Sequence, residues 1–516
     1  MGSDQPLTLS RRGFLSAALI GLAPKSGRRI AGGFVNESQT LGHQLRDRAA
    51  VPRPRQTRRV PIAIVGGGIA GLSAAWRLDK RGMRDFVVLE MEPAAGGNAR
   101  WGENEISAFP WAAHYVPVPG RTAGFVRELF ADLGVFSEHG WDERHLVHAP
   151  KERLFIHGRW QEGLEPAIGP TARDRDQFAR FNDRIERYRA SGRFTIPMAV
   201  GLERSAAAAA VPAVPEEDSL SMGAWLGREG FDSPWLRWVV DYACRDDYGG
   251  LASDVSAWAG LLYFAGRDAE EEGPLTWPEG NGWIVRRLLE RLTDRVHTAQ
   301  MVYRVERGGR GWRIVTADTE WLADIVIVAA PLLVASRIVD GAPPVRVTYS
   351  PWFTANLVLD RWPRESGFAV AWDNVIFDSR SLGYVVATHQ QLRRYVPRTV
   401  WTYYWALAHQ PPSAARQWLL AQNWETLRDQ ALDDLSRAHP DIRDCVSRVD
   451  IMRLGHAMIR PTPGLLADPA WQAMQRPDHR SLSGRLLYAH SDLSALPLFE
   501  EAQYRGVLAA DRALAM

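Results

Sequence analysis

The chain has 516 residues, 46% hydrophobic and 24% charged, with a formal net charge of +2. That is enough chain for two or three domains around a large core, and so even a balance gives no reason to expect a nucleic acid or an acidic partner. Two cysteines, Cys244 and Cys445, exclude a disulfide framework, and lysine occurs only at Lys25, Lys80 and Lys151.

Ser10-Arg11-Arg12-Gly13-Phe14-Leu15 resembles a twin-arginine export signal, and an Ala- and Leu-rich stretch follows it up to Ala23. That stretch is too short to span a membrane and suits a signal's apolar region. Residues 1–31 are therefore expected to be a signal region read by the twin-arginine translocation machinery, delivering a folded protein to the periplasm or medium. No later apolar run reaches about 18 residues, so no stable membrane span is expected.

Residues 32–59 read as an extension and linker, Pro- and Arg-rich from Ala50 to Arg59. Gly42-His43 and Arg46-Asp47 within it have no assigned place. Pro61 to Val65 then predicts a buried strand, Ala70 to Arg81 a helix and Phe86 to Glu90 a second strand, the βαβ pattern. From Gly120 to Glu272 the chain is expected to be mostly helical, with Ala206 to Ala210 a helix or loose connection. Trp283 to Arg291 predicts an amphipathic helix. Arg313 to Thr316 and Ile325 to Ala329 predict strands, and Tyr349 to Leu359 and Trp401 to Ala408 strands of a separate sheet. A helix over Ala414 to Ala438, a strand over Leu486 to Ala489 and a helix from Leu498 close the chain.

Gly66-Gly67-Gly68-Ile69-Ala70-Gly71 fits G-x-G-x-x-G between the first strand and the helix it opens. Gly66 permits the tight turn, Gly68 lets a pyrophosphate approach the backbone, and Gly71 lets helix and strand pack closely. The helix N-terminus, around Ile69 and Ala70, supplies N–H groups and the positive end of the dipole. Glu90, nineteen residues beyond Gly71 at the end of the second strand, stands where a ribose hydroxyl would be bound. These features together predict a dinucleotide site. No spacing suggests zinc, a Ser-His-Asp triad or a P-loop.

Six residues after Glu90 come Gly96-Gly97-Asn98-Ala99-Arg100. Here the sequence resembles the glycine-doublet FAD-dependent oxidoreductases: flavin-containing amine oxidases, phytoene desaturases and protoporphyrinogen oxidases. The resemblance implies FAD, with Asn98 where those proteins have arginine. Asn98 and Arg100 are both candidates for the phosphate contact. It extends to Val296–Ala330, where Val302 stands either beside the adenine or simply in the core. It also covers Leu486 to Asp492, with Asp492 near the ribityl-phosphate, and the closing helix, whose start at Phe499 and Glu500 would face the flavin's N1 edge. Around the ring it implies Phe109 to Val116, including Ala113, His114 and Tyr115; His114 is either an acid/base group or a structural histidine. Tyr403-Tyr404-Trp405 and Gly455-His456-Ala457-Met458 are cavity candidates, with aromatic core the alternative for the first, and Trp277 to Gly282 a cofactor-side turn. Arg245-Asp246-Asp247 reads as a buried ion-pair turn. The lysine with which many amine oxidases hold a water at flavin N5 is absent, since no lysine follows Lys151. No cysteine lies near the closing helix, so FAD is expected to be noncovalent.

The expected fold class is α/β: a Rossmann-type FAD-binding domain (60–135, 274–342 and 451–516) interleaved with a mixed-sheet and helical substrate domain (136–273 and 343–450). The resemblance implies a two-electron oxidoreductase acting on a small organic substrate. An amine is the first expectation, an apolar substrate undergoing desaturation the second, and a flavin-holding protein without turnover the third. Tyr115 and His456 join His114 as candidates near the chemistry, and the electron acceptor is left open.

Overall fold

The computed structural model describes residues 29–516 except 37, 48–49, 202–213, 268–272, 310, 343–345, 392–395 and 476–484. The twin-arginine motif and Ala206 to Ala210 lie outside the described residues.

Four buried apolar runs begin the architecture. Ile62-Ala63-Ile64-Val65 and Phe86-Val87-Val88-Leu89 are buried on both faces, as are Ile325 to Val328 and Leu486 to Tyr488. Continuous burial of this kind marks parallel strands covered on both sides. They lie in a seven-stranded sheet in the order Val296–His297, Phe86–Leu89, Gln56–Val65, Thr319–Val328, Gly311–Val315, Arg304–Gly308. Leu486–Tyr488 runs parallel to the second half of Thr319–Val328. Helices Ile69–Lys80, Gly282–Leu292 and Phe499–Leu514 bury their apolar sides in one core with this sheet. The first and last cross at backbone contact: a Cβ on Gly506 would lie 2.1 Å from the Ala70 carbonyl oxygen.

The second sheet has eight strands, ordered Ala31–Phe34, Val446–Ile459, Tyr349–Leu359, Thr399–Ala406, Gly383–Val386, Asp373–Ile376, Glu152–Ile156, Arg159–Glu162. Asn356, Thr402, Val385, Asp373 and Glu152 are successive register partners across five of them. Register partners point to the same face, so these side chains form one row. Beside this sheet stand helices Ala172–Ser191, Met222–Arg228, Pro234–Tyr248 and Ala257–Ala265, packed around Trp225, Leu261 and Tyr248.

Several expectations are corrected. The first Rossmann strand starts at Gln56, inside the supposed linker, because Gln56 to Arg59 pair with Thr319 to Leu322 although their side chains face solvent. The extension ahead of it is structured: Ala31–Phe34 adds a parallel edge strand to the second sheet, and Gly42, His43 and Arg46 lie on helix Gln39–Arg46. The mostly helical region also contains the hairpin Glu152–Ile156/Arg159–Glu162. The predicted helix over Ala414–Ala438 is two, Pro412–Ala421 and Trp424–Ser436, because Asn423 caps the second by accepting from Thr426 N–H at 2.8 Å. Among the described residues, no helix is long and apolar enough to cross a membrane.

Candidate active site

The glycine turn is shaped for a close ligand. Gly66 has φ +109°, and a Cβ on Gly71 would sit 1.9 Å from the Gly66 carbonyl oxygen, so neither position accepts a side chain. A Cβ on Gly68, by contrast, meets nothing within 4 Å. The open space lies where Gly68 caps helix Ile69–Lys80, and the first-turn N–H groups of Ile69, Ala70 and Gly71 have no helical carbonyl to bond. The second glycine pair is held alongside: Gly96 N–H donates to Gly67 O at 2.8 Å, and Gly96 and Gly97 have φ +125° and +57°.

Glu90 is 8% exposed and accepts from Gly67 N–H at 2.7 Å and Glu92 N–H at 2.8 Å. Burial raises its pKa against those two bonds. A carboxylate has about four lone-pair positions, so capacity for a ribose diol remains. Gln300 N–H donates to Glu90 O at 2.7 Å, which brings the segment carrying Val302 beside it, and Val302 is itself buried in the core behind the sheet. The cradle left by Gly68 and the buried acid at the strand end fit the adenosine diphosphate half of FAD.

The phosphate candidates are committed within the protein. Asn98 Nδ2 donates to Ala457 O at 2.6 Å, and Arg100 donates to Gly97 O at 3.1 Å while facing Glu92 at 3.4 Å. Glu92 also accepts from Ser38 Oγ, so the N-terminal extension reaches the cofactor cradle. Asp492 is buried and accepts from Leu332 N–H at 2.9 Å and from the Tyr349 hydroxyl, with His490 Nδ1 at 3.1 Å. Burial would raise its pKa, but His490 and Tyr349 hold it below the usual range. Its carboxylate anchors helix Leu332–Ile338. Phe499 stacks on Phe130 at 6.0 Å within the Rossmann core, and Glu500 pairs with Arg267 at 2.8 Å.

The stretch from Ala113 to Val116 is clamped from two sides. Ala113 N–H donates to Asn98 O at 2.8 Å; Thr276 Oγ1 donates to His114 O at 2.8 Å and Asn281 Nδ2 to Tyr115 O at 3.0 Å. Gly280, in the Trp277–Gly282 turn, has φ +58° and lies close under His114. The imidazole of His114 stacks on Tyr404 at 4.5 Å, with Tyr115 and Trp372 at 4.9 and 5.5 Å. Burial lowers its pKa to about 4, so the ring is neutral at pH 7. His456 is in other surroundings: exposed to solvent and 6.0 Å from Tyr349. The cavity candidates also divide, Tyr404 facing His114 while Tyr403 joins the sheet's core.

The Arg245-Asp246-Asp247 segment is not the expected ion-pair turn. It is the last turn of helix Pro234–Tyr248, and Arg245 points away, onto Asp241 at 3.0 Å and the carbonyls of Ser379, Arg380 and Ser381. Asp246 faces Tyr115, whose hydroxyl donates to it at 3.3 Å. Asp246 and Asp247 keep partial exposure between the buried Arg245 and Tyr248, and Asp373 does so between the buried Trp372 and Asn374. Accessible carboxylates flanked by buried neighbours line an internal recess. Burial raises Asp246 to about 6; burial and then Asp246 raise Asp247 to about 7; burial, Asp246 and Glu152 push Asp373 well above the usual range.

Asp373 and Glu152 had no local signal, since each is a single acid in a strand and their pairing joins positions 221 residues apart, the separation of their neighbours Arg153 and Asn374. An acid at a position whose strand neighbours two residues on, Val375 and Leu154, are buried was the available clue.

Comparison with known proteins agrees with the fold and with FAD as the cofactor. The family described as flavin containing amine oxidoreductase matches residues 69–514. Wild-type putrescine oxidase bound to putrescine superposes with TM-score 0.66 at 16% identity, covering 89% of this chain and 100% of that one. Cyclohexylamine oxidase from Brevibacterium oxydans IH-35A gives 0.64 at 16% identity over 88% and 99%. A fatty acid isomerase from P. acnes gives 0.63 at 15% over 88% and 98%. At these identities the likeness is one of fold. A Baeyer-Villiger monooxygenase from Penicillium patulum is 36% identical over 73 residues, which is 13% of this chain and 12% of that enzyme.

Proposed function

Because the chain belongs to the flavin-containing amine oxidoreductase family and is an FAD-dependent oxidoreductase, we propose that it oxidises an amine bound in the Asp246 recess. The observation that carries this reading is the set of accessible carboxylates, Asp246, Asp247 and Asp373, among aromatic rings beside the clamped His114–Tyr115 stretch. Such a recess attracts an ammonium group and repels a carboxylic acid, and burying these acids against a purely apolar substrate would be costly.

Bound FAD supplies the two-electron acceptor. The rings of Tyr404, His114 and Trp372 exclude water and present π faces to a cation. Asp246, steadied by Tyr115, orients the substrate nitrogen. An ammonium cannot lose hydride from its neighbouring carbon until it has lost a proton, and Asp247, at about 7, is tuned to accept one near neutral pH. The balance is then one proton to the protein and one hydride from the carbon next to nitrogen, leaving an iminium that water hydrolyses to a carbonyl compound and ammonia. His114, neutral at pH 7, acts by stacking and shape.

FAD is held noncovalently in this reading: Cys244 and Cys445 are both buried thiols, in the helical core and the sheet core. Export by the twin-arginine route, from Ser10 to Leu15, is proposed with it. Anaerobic addition of primary amines to purified holoenzyme tests the function. Bleaching of the flavin by an amine supports it, whereas bleaching by apolar alkenes alone would transfer the assignment to a desaturase.

A further inference from the structure

The segment ahead of the Rossmann unit is structured, although the family match begins only at residue 69. Ala31–Phe34 pairs with Arg448 to Ile451 of the second sheet. Helix Gln39–Arg46 then lies against helix Leu332–Ile338, which follows the Rossmann strand Thr319–Val328. The segment thus ties the two sheets together from outside the family's pattern.

Ser38 stands at the N-cap of helix Gln39–Arg46, where a serine hydroxyl ordinarily accepts from a first-turn N–H. Here it makes no such cap and donates to Glu92 instead. Glu92 in turn donates its N–H to Glu90 at 2.8 Å and faces Arg100 at 3.4 Å. A local cap has given way to a contact beside the adenosine cradle. The helix is also incompletely packed: none of its residues is buried, yet Leu41, His43, Gln44 and Leu45 are all half-buried. A helix resting on a completed core buries one side fully, and this one does not.

Cations gather at the same place. His456 stands in the field of Arg416, Arg337 and His43, which belong to helices Pro412–Ala421, Leu332–Ile338 and Gln39–Arg46. The Arg416 side chain runs past Gly455, whose Cβ would lie 3.7 Å from it, and Arg416 Nη1 donates to Tyr349 O at 3.2 Å. Arg337 Nη1 donates to Arg46 O at 3.3 Å. Among the described residues neither guanidinium bonds to a carboxylate. Asp47, which lies in the field of Arg337 and His43, is itself bonded to Arg46 at 2.6 Å. Burial lowers the pKa of Arg416, and no acid acts against it. Arginine stays charged in proteins, so a half-buried one without a counter-ion is costly unless an anion meets it.

Contacts on two sides fix this cluster to the cofactor cradle. Asn98 Nδ2 donates to Ala457 O, next to His456, and a Cβ on the adjoining Gly97 would lie 3.4 Å from Gly68 Cα. On the other side Tyr349, its ring 6.0 Å from His456, gives its hydroxyl to Asp492. The cations therefore stand between the turn that takes the diphosphate and the acid expected beside the ribityl-phosphate. Asn98 occupies the position at which the related flavoproteins carry arginine, and Arg100 is committed to Gly97 and Glu92. Neither brings an uncommitted guanidinium to the diphosphate.

We propose that the segment Ala31–Asp47 is part of the cofactor site: its helix closes over the diphosphate of FAD, and Arg416 and Arg337, assisted by His43 and His456, neutralise that dianion in place of the arginine that Asn98 replaces. The Rossmann turn cradles the cofactor, while the extension and helix Pro412–Ala421 retain it. This is independent of the substrate.

The test uses the full-length protein, stripped of FAD and titrated with FAD, ADP and adenosine. ADP carries the diphosphate and adenosine does not, so their affinity ratio reports the anion contact separately from the integrity of the fold. Arg416→Gln should weaken FAD about tenfold, and Arg416→Gln with Arg337→Gln about 10²-fold, the ADP-to-adenosine ratio falling by the same factors. Arg416→Lys, which keeps the charge, should recover most of the loss. Ser38→Ala, which leaves every cation in place, should speed FAD release from the holoenzyme several-fold. An unchanged ADP-to-adenosine ratio in the double variant, whatever happens to FAD affinity, overturns the anion site. Release at the parental rate from Ser38→Ala overturns the part assigned to the extension. Loss of inorganic phosphate binding in the double variant, with FAD affinity and the ratio intact, would give the cluster to a different anion and overturn the proposal as well.

Discussion

Asp247→Asn tests the recess through stability, independently of any substrate. Burial and the neighbouring Asp246 charge raise Asp247 from 3.8 to about 7, with Arg267 opposing. Each unit is worth 1.36 kcal/mol, so an ionised Asp247 costs the folded protein on the order of 4 kcal/mol. The sign follows from proton counting. Between about pH 4 and pH 7 the folded state binds a proton that the unfolded state has released, so stability falls as pH rises through that window and is level above it. Asparagine has the same shape and no charge, so the variant should unfold at higher temperature than the parent at pH 8. With the unfolding entropy expected of a chain this long, the gap is about 4 °C. It should narrow on acidification and vanish near pH 4. Thermal unfolding of the two holoenzymes by circular dichroism across pH 4–8.5 measures this. A parent whose stability is level from pH 4 to 8, or a variant less stable than the parent at pH 8, would refute a buried, charge-repelled acid.

Gly68→Val should fold, because a Cβ there meets nothing within 4 Å, yet lose at least about 10²-fold in FAD affinity by entering the pyrophosphate's space; flavin titration of the apoprotein checks it, and normal affinity would move the cofactor elsewhere. His114→Gln should retain FAD and lose less than about tenfold in flavin reduction, with an unchanged pH profile, because the parent imidazole is neutral above about pH 4. A loss of 10²–10⁴-fold in stopped-flow reduction would instead make His114 an acid/base catalyst. Arg11→Lys together with Arg12→Lys should retain the protein in the cytoplasm; undiminished delivery on cell fractionation would show the arginine pair to be incidental.

The Rossmann half of this protein was legible because its determinants are local. Gly66 to Gly71, Glu90 and the apolar runs around them lie within 30 residues, and the closing strand and helix are continuous segments. Their register with Thr319–Val328 follows once parallel pairing is assumed. The start of the first strand was hidden because Gln56 to Arg59 pair by backbone alone, with polar side chains in water. The recess was hidden for the opposite reason: its parts are ordinary residues made chemical by long-range pairing. Asp246 and Asp247 looked neutralised by Arg245 until the helix turned the guanidinium toward Asp241. Asp373 and Glu152 meet only through a pairing between distant strands. Asp492, expected beside the ribityl-phosphate, has a structural task that the motif did not show, its carboxylate being held by Leu332 and Tyr349.

The central claim, oxidation of a carbon next to nitrogen, is tested most directly by an anaerobic single turnover with an amine and its deuterated counterpart. One flavin reduced should yield one carbonyl product and one ammonia, and deuterium on the carbon bearing nitrogen should slow flavin reduction several-fold. Reduction without ammonia release, or with label on that carbon having no effect and a carbon–carbon double bond in the product, would contradict it.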